Sequence, residues 1–296
     1  MKAPLFTGSS AAIVTPMRDD GSVNLDILPQ LLEMQIRGGT AAITVCGTTG
    51  ESATLKDVEK LALISSCVSA VNGRIPVIAG TGSNDTEHAV FLGREAEKAG
   101  ADGLLLVTPY YNKCSEKGLV RHFMTIADST ELPVIVYNVP SRTGVSMNEN
   151  IYRQLSEHPN INGVKEASGD TELVLRTRAA CGDDFYIWSG NDAQIVPLMA
   201  LGGQGVISVL ANLCPEVPAR ITAACQRGDY PSAAELQTRY MPLIDAMFCE
   251  VNPIPVKTAM HLMGLDVGPL RMPLCEMEDT SRNRLTAVLT DCGLLS

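Results

Sequence analysis

The 296-residue sequence has no concentration of basic residues. Its 23 Lys and Arg stand against 33 Asp and Glu, a formal net charge of −10. Phosphate contacts need clustered Lys and Arg, so nucleic acid is not an expected partner. Net charge would not draw in an anion either, so any anion site has to be built locally. No run of about 18 apolar residues occurs, which argues against a membrane-spanning helix. Met1-Lys2-Ala3-Pro4-Leu5-Phe6-Thr7-Gly8 leads into no apolar stretch of signal length. The 9 cysteines include no C-x-x-C pair, and several sit in apolar runs, where the thiol behaves as a small hydrophobe. A reducing, cytoplasmic setting is expected, not a disulfide scaffold.

Chemistry-bearing motifs are also missing. The 4 histidines, His88, His122, His158 and His261, form neither H-x-H nor H-E-x-x-H, so no metal site is expected. No G-x-G-x-x-G follows the first apolar run, which weakens a dinucleotide reading, and no Gly-Lys-Ser/Thr marks a P-loop.

Eight short apolar runs are present, each ending in a polar or glycine-rich loop: Ala11 to Val14, Ala41 to Cys46, Pro76 to Ala79, Gly103 to Val107, Pro133 to Tyr137, Ile161 to Lys165, Phe185 to Trp188, and Gly205 to Val209. Most are rich in Val and Ile, as buried parallel strands are. Helical patterns lie between them, the clearest over Leu55 to Val71, where Thr54-Leu55-Lys56-Asp57 offers a capping-box start. Eight strand–helix units predict an α/β fold, a closed (β/α)8 TIM barrel over residues 1–225. An open doubly wound sheet is the less natural alternative. Residues 226–296 carry helical patterns around Tyr230 to Cys249, Pro253 to Gly264 and Asp279 to Leu289. They read as a C-terminal helical extension packed on the barrel, with no low-complexity linker before it.

In such a barrel the active site forms at the C-terminal strand ends. Lys165 ends the sixth run and is the only lysine expected at a strand end. Either it snorkels to solvent, or burial lowers its pKa and frees a neutral amine for Schiff-base formation with a ketone. The loop Gly47-Thr48-Thr49-Gly50-Glu51-Ser52 is either a plain turn and cap or a set of backbone N–H groups and hydroxyls that grip a small anion. Tyr137 is either a core residue or part of a proton shuttle with a neighbouring lysine and threonine. Arg142 is either solvated or a fork for a carboxylate.

Taken together these motifs resemble the dihydrodipicolinate synthase family. The resemblance rests on Gly47-Thr48-Thr49-Gly50-Glu51, Thr108-Pro109-Tyr110-Tyr111, Tyr137-Asn138-Val139-Pro140-Ser141-Arg142-Thr143-Gly144, Gly163-Val164-Lys165-Glu166-Ala167 and Asn252-Pro253-Ile254-Pro255-Val256-Lys257, and it spans essentially the whole chain. It implies condensation of pyruvate with L-aspartate 4-semialdehyde to give 4-hydroxy-tetrahydrodipicolinate, on the way to diaminopimelate and lysine. No cofactor is implied beyond the pyruvate imine on Lys165. Tyr137, Thr48 and Tyr111 would relay protons, with Tyr111 supplied by the neighbouring subunit of a tight dimer. Thr48 and Thr49 would hold the pyruvate carboxylate, Arg142 that of the semialdehyde, and Gly190 and Ile207 would line the pocket. A homotetramer of two tight dimers is implied. A related pyruvate-dependent aldolase with another aldehyde substrate is the alternative.

Lysine-inhibited members of the family bind lysine at positions matching Ser52, Ala53, Asn84 and Tyr110. They also carry histidines where this chain has Asp57 and Lys60, and a glutamate where it has His88. Loss of that glutamate and gain of Lys60 remove attraction for the effector's ammonium. Weak or absent inhibition by lysine is expected, with Asp57 the one residue able to restore binding.

Overall fold

Short buried runs separated by helix-forming segments can pair in parallel only if each crossover returns over the sheet, and eight such returns close it. The computed structural model describes residues 2–295. Its strands are β1 Gly8–Ala12, β2 Ala42–Val45, β3 Val77–Gly80, β4 Gly103–Val107, β5 Val134–Asn138, β6 Ile161–Glu166, β7 Tyr186–Ser189 and β8 Gly205–Ser208. They pair in chain order into a closed parallel barrel, β8 returning to β1.

Helices α1 Leu28–Arg37, α2 Asp57–Val71, α3 Thr86–Lys98 and α4 Glu116–Ala127 follow the first four strands. The short α5 Pro140–Thr143 and then α6 Glu149–Ser156 follow β5. After them come α7 Thr171–Cys181, α8 Ile195–Ala200 and α9 Glu216–Gln226. The last three are α10 Tyr230–Ala246, α11 Ile254–Leu262 and α12 Asp279–Asp291. Helix α10 packs on α8 and α9, and α12 packs on α10 and α11. No helix among the described residues is long and apolar enough to cross a membrane.

The core has two parts. Helix-facing side chains of the strands meet the helices in one continuous apolar shell. Inside the barrel a smaller set packs on itself, including Phe6, Ile78, Leu105, Ile135, Tyr137, Trp188 and Ile207. Phe6 plugs the barrel from below: its ring stacks on Trp188 at 5.2 Å, and its carbonyl accepts the Trp188 indole N–H at 3.2 Å.

Two local expectations shift. The first strand starts three residues before the apolar run. The small residues Gly8-Ser9-Ser10-Ala11-Ala12, all buried, carry the ladder to β2 and β8. Ile13 and Val14 lie above it, with the Val14 N–H donating to Asn212 Oδ1 at 3.1 Å. Helix α2 starts at Asp57, because the Glu59 carboxylate accepts the Lys56 N–H at 2.8 Å. Thr54 instead turns its hydroxyl to the Glu51 carbonyl at 3.1 Å in a preceding 3-10 turn.

Candidate active site

Side chains alternate along a strand, so neighbours on β6 face opposite ways. Lys165 pairs in register with Tyr137 on β5 and Trp188 on β7, both of the interior set. Its side chain is 6% exposed, and its Nζ lies 4.3 Å from the centre of the Tyr137 ring. Burial pulls its pKa down to about 8, against the opposing pull of Asp192 and with help from the Arg142 charge. Such an amine carries a neutral fraction of about a tenth near pH 7, far above that of an ordinary lysine. The Tyr137 phenol is pushed up to about 12, chiefly by burial, while Arg142 and a hydrogen bond with the Thr48 side chain act to lower it. It is therefore a protonated donor at neutral pH.

Room beside the lysine is kept by Gly190. A Cβ at that position would sit 2.8 Å from Ala167 Cβ and 3.1 Å from Lys165 Cε. Ile207, fully buried on β8, belongs to the interior set with Tyr137. Thus Lys165, Tyr137, Thr48, Gly190 and Ile207 are gathered at one end of the barrel.

The loop after β2 is bracketed by two non-glycine residues in the left-handed region, Cys46 (φ 56) and Glu51 (φ 55). Those turns fold the loop on itself: Gly50 N–H donates to the Gly47 carbonyl at 3.1 Å, and Glu51 N–H to the Thr48 carbonyl at 3.1 Å. The N–H groups of Thr48 and Thr49 find no acceptor among the described residues. Backbone donors are rarely left so away from bulk water, and a pair of them is a ready anion cradle. Thr49 is buried, and its Oγ1 accepts from Asn252 Nδ2 at 3.0 Å. Arg142, on α5, donates from Nη2 to the Asn252 carbonyl at 3.0 Å and leaves the rest of its fork free for a carboxylate.

A cavity of about 530 Å³ opens beside this cradle, with Thr48, Arg142, Asn252 and Val139 among its lining residues. Ser52, Ala53, Asn84, His88 and Tyr110 line the same cavity, together with Asp57 and Lys60. The expected effector positions are thus contiguous with the expected substrate positions. His88 is not free within it: Nε2 meets the Asp57 carboxylate at 3.0 Å and Nδ1 the Ser83 hydroxyl at 3.3 Å.

Tyr111 is the one expected site residue that the chain does not bring to the others. It is 93% exposed. It sits at the tip of a tight turn at φ 68, closed by Asn112 N–H donating to the Tyr110 carbonyl at 2.9 Å. Asn84 braces that turn, its Nδ2 donating to the Tyr110 carbonyl at 3.1 Å and its carbonyl accepting from Asn112 Nδ2 at 2.9 Å.

Two supporting groups escaped the sequence reading. Lys257, which the sequence places away from any strand end, is 3% exposed and ion-paired with Glu51 at 2.9 Å. It also donates to the carbonyls of Pro269, at 2.6 Å, and Thr15, at 3.3 Å. The other Glu51 oxygen accepts the Arg271 N–H at 2.9 Å, and the Arg271 side chain is paired with Glu59. The left-handed turn that ends the anion loop is therefore held from the C-terminal segment. The signal was available: Lys257 lies within an otherwise apolar helical turn, Ile254-Pro255-Val256 before it and Ala259-Met260 after it, all buried. The second missed group is Asn138, whose Nδ2 donates to Glu166 at 3.1 Å and whose Oδ1 accepts the Met147 N–H at 3.1 Å. That side chain ties the strand of Tyr137 to the strand of Lys165.

Fold and site together define a (β/α)8 barrel enzyme built around a buried amine at the end of its sixth strand. The chain belongs to the Dihydrodipicolinate synthetase family, whose profile matches residues 5–292. It is 52% identical over 293 residues to the 4-hydroxy-tetrahydrodipicolinate synthase of a Thermoanaerobacter species, covering 99% of this chain and 98% of that one. Among solved structures, the chloride-inhibited dihydrodipicolinate synthase of Acinetobacter baumannii in complex with pyruvate is 42% identical, with a TM-score of 0.96 over 98% of this chain and 99% of that one. The lysine-bound synthase of Cyanidioschyzon merolae is 40% identical, with a TM-score of 0.96 over 99% of this chain and 100% of that one.

Proposed function

We propose that the protein condenses pyruvate with L-aspartate 4-semialdehyde to 4-hydroxy-tetrahydrodipicolinate through an imine on Lys165. The observation that carries this reading is the buried Lys165 amine, held at about 8 and set against Tyr137. The amine nitrogen attacks the pyruvate ketone, and the carbonyl oxygen leaves as water. The amine gives that water one proton, Tyr137 relays in the other, and one proton remains on the nitrogen, making an iminium cation. Loss of a methyl proton gives the enamine, whose carbon adds to the aldehyde of the semialdehyde; the amino group of the adduct then attacks the imine carbon, closing the ring and releasing the Lys165 amine. The free N–H groups of Thr48 and Thr49 hold the pyruvate carboxylate, and Arg142 holds that of the second substrate. Tyr137, with Thr48 beside it, moves protons to and from the reacting oxygen. Gly190 and Ile207 shape the wall.

Tyr111 completes the relay from a second copy of the chain in a tight dimer, two of which form a homotetramer. Its exposure supports this, since an aromatic ring held in solvent by a strained turn is costly without a partner. The organic cofactor-free mechanism needs nothing else at the site than these side chains and the substrates.

Borohydride reduction in the presence of pyruvate tests the reading. Reduction freezes the imine as a secondary amine, and mass mapping is expected to find it on Lys165 alone. An active, folded protein that takes no label would sink it.

The effector positions support insensitivity to lysine. Asp57, the residue best able to attract the effector's ammonium, already has its carboxylate on His88, and Lys60 adds like charge to the cavity. Turnover is expected to be unchanged at micromolar lysine, and half-inhibition in that range would contradict this.

A further inference from the structure

Two buried carboxylates flank Lys165, and the fold treats them differently. Glu166, next on β6, faces the opposite side of the sheet and is saturated. It accepts from Asn138 Nδ2 at 3.1 Å, the Tyr152 hydroxyl at 2.6 Å and the Ser168 N–H at 2.7 Å. Asp192 lies in a 3-10 turn just after β7, two residues beyond Gly190, and is 2% exposed. Its Oδ2 accepts the N–H groups of Val209, at 2.9 Å, and Leu210, at 3.0 Å. Its Oδ1 is buried with no partner among the described residues.

A buried carboxylate oxygen without a donor is expensive to keep. Here one oxygen is pinned by two backbone donors at the end of β8, and the other is left idle two residues beyond Gly190, where a Cβ would lie 3.1 Å from Lys165 Cε. Asp192 is the carboxylate whose field opposes the effect of burial on Lys165. Arg142, from α5, acts on Lys165 in the opposite sense. The remaining neighbours are the Ser208 hydroxyl on β8, which accepts the Ala211 N–H at 2.9 Å, and the Cys214 thiol, which burial keeps protonated. Tyr137 on β5 is a neutral phenol at working pH.

We propose that Asp192 is a positioning residue whose unpartnered Oδ1 supplies the buried counter-charge to the iminium nitrogen formed on Lys165. This rests on the Schiff-base reading above. When the amine condenses with a ketone, water leaves and the nitrogen keeps one proton and a positive charge that no longer has a bulk-water shell. A fixed negative charge nearby holds that proton in place. The cation, and not the neutral imine, is the electron sink that lets the methyl group lose its proton. Burial pushes the Asp192 carboxyl up, while Ser208, the two N–H donors and Lys165 pull it down.

The test is Asp192→Asn, which retains a carbonyl oxygen for the Val209 and Leu210 N–H groups and removes only the charge. The readout is the pH dependence of single-turnover imine formation with pyruvate, followed by mass after reduction. Without Asp192 the free ammonium loses the negative field that opposes the effect of burial. The acidic limb, expected near pH 8 in the unsubstituted protein, moves down by about one unit, as for loss of one nearby opposite charge. Imine formation at pH 7 then speeds up about fivefold, while kcat falls about tenfold because the iminium is less stable. A damaged site cannot bind the ketone faster and turn over more slowly at once. Asp192→Ser, which keeps a hydroxyl oxygen near the Val209 and Leu210 N–H groups and removes the same charge, shifts the limb in the same direction and keeps the question open to experiment if the Asn variant does not fold. A limb that stays in place in either folded variant would overturn the proposal. Absence of any adduct on Lys165 in the unsubstituted protein would instead overturn the Schiff-base reading, and the counter-charge with it.

Discussion

At the scale of single residues, the site depends on what is kept small and what is kept dry. Gly190 is needed for space, not for a special backbone angle: an added methyl would press on the stem of Lys165 at 3.1 Å and on Ala167 at 2.8 Å. Gly190→Ala is expected to leave the fold intact and to lower kcat/KM for pyruvate by about tenfold to a hundredfold, the usual result of misplacing a reacting atom by a fraction of an ångström. Steady-state kinetics with a thermal-melt control checks this; unchanged kinetics would show that Lys165 tolerates the displacement. The places of Lys165, Tyr137, Thr48 and Arg142, at strand ends or in the loops beyond them, were legible in the sequence, but each also had an ordinary reading there and only the family resemblance chose between the two. Asp192 was not legible. A carboxylate in Ser-Gly-Asn-Asp reads as an ordinary turn, and only the packing of β8 against it shows that it is buried and half-satisfied.

At the scale of elements, the eight strands and their order could be read from the spacing of apolar runs, because a strand buried on both faces leaves a run that little else produces. Strand β1 was misplaced for the same reason: its five residues are small and partly hydroxylated, so it lacks the Val and Ile signature. The role of α11 was hidden more deeply. Its sequence shows a helix start, but the contact of Lys257 with Glu51 spans 206 residues of chain, and no local pattern reports it. Removing one member of a buried pair leaves the other charge uncompensated. Lys257→Met is therefore expected to cost about 3–5 kcal/mol of stability and to raise KM for pyruvate through a loosened Thr48–Thr49 loop. Adding Glu51→Gln is expected to recover most of the stability but not the KM. Denaturant unfolding and kinetics on the two single variants and the double variant close that cycle; additive stability losses would show that the pair is not coupled.

At the scale of the whole molecule, the proposed dimer rests on what one chain leaves unfinished. Tyr111 stands in solvent on a turn that Asn84 and Asn112 hold in a strained shape, while every other expected catalytic group is gathered inward. If a second copy supplies the ring, two inactive variants should complement each other. Lys165→Ala and Tyr111→Phe, dissociated and reassembled in equal amounts, are expected to regain about a quarter of the wild-type sites, since half of the dimers are mixed and each mixed dimer has one complete site. No recovery over that of the separate variants would place Tyr111 outside the relay. The tetramer and its second interface were expected from family resemblance alone, because self-complementary patches carry no periodic signal that a single sequence displays.

The dependence of the anion loop on Lys257 and Arg271 also has a consequence in time. Synthesis runs from the N-terminus, so the last strand, ending at Ser208, is made well before the residues that brace the loop after β2. A nascent chain that has completed all eight strands still lacks the strut that sets its substrate grip. Proteolytic clipping before Lys257 would produce the same state in the finished protein. The loop after β2 would then lose the contacts that hold its shape, and the grip on substrate with them.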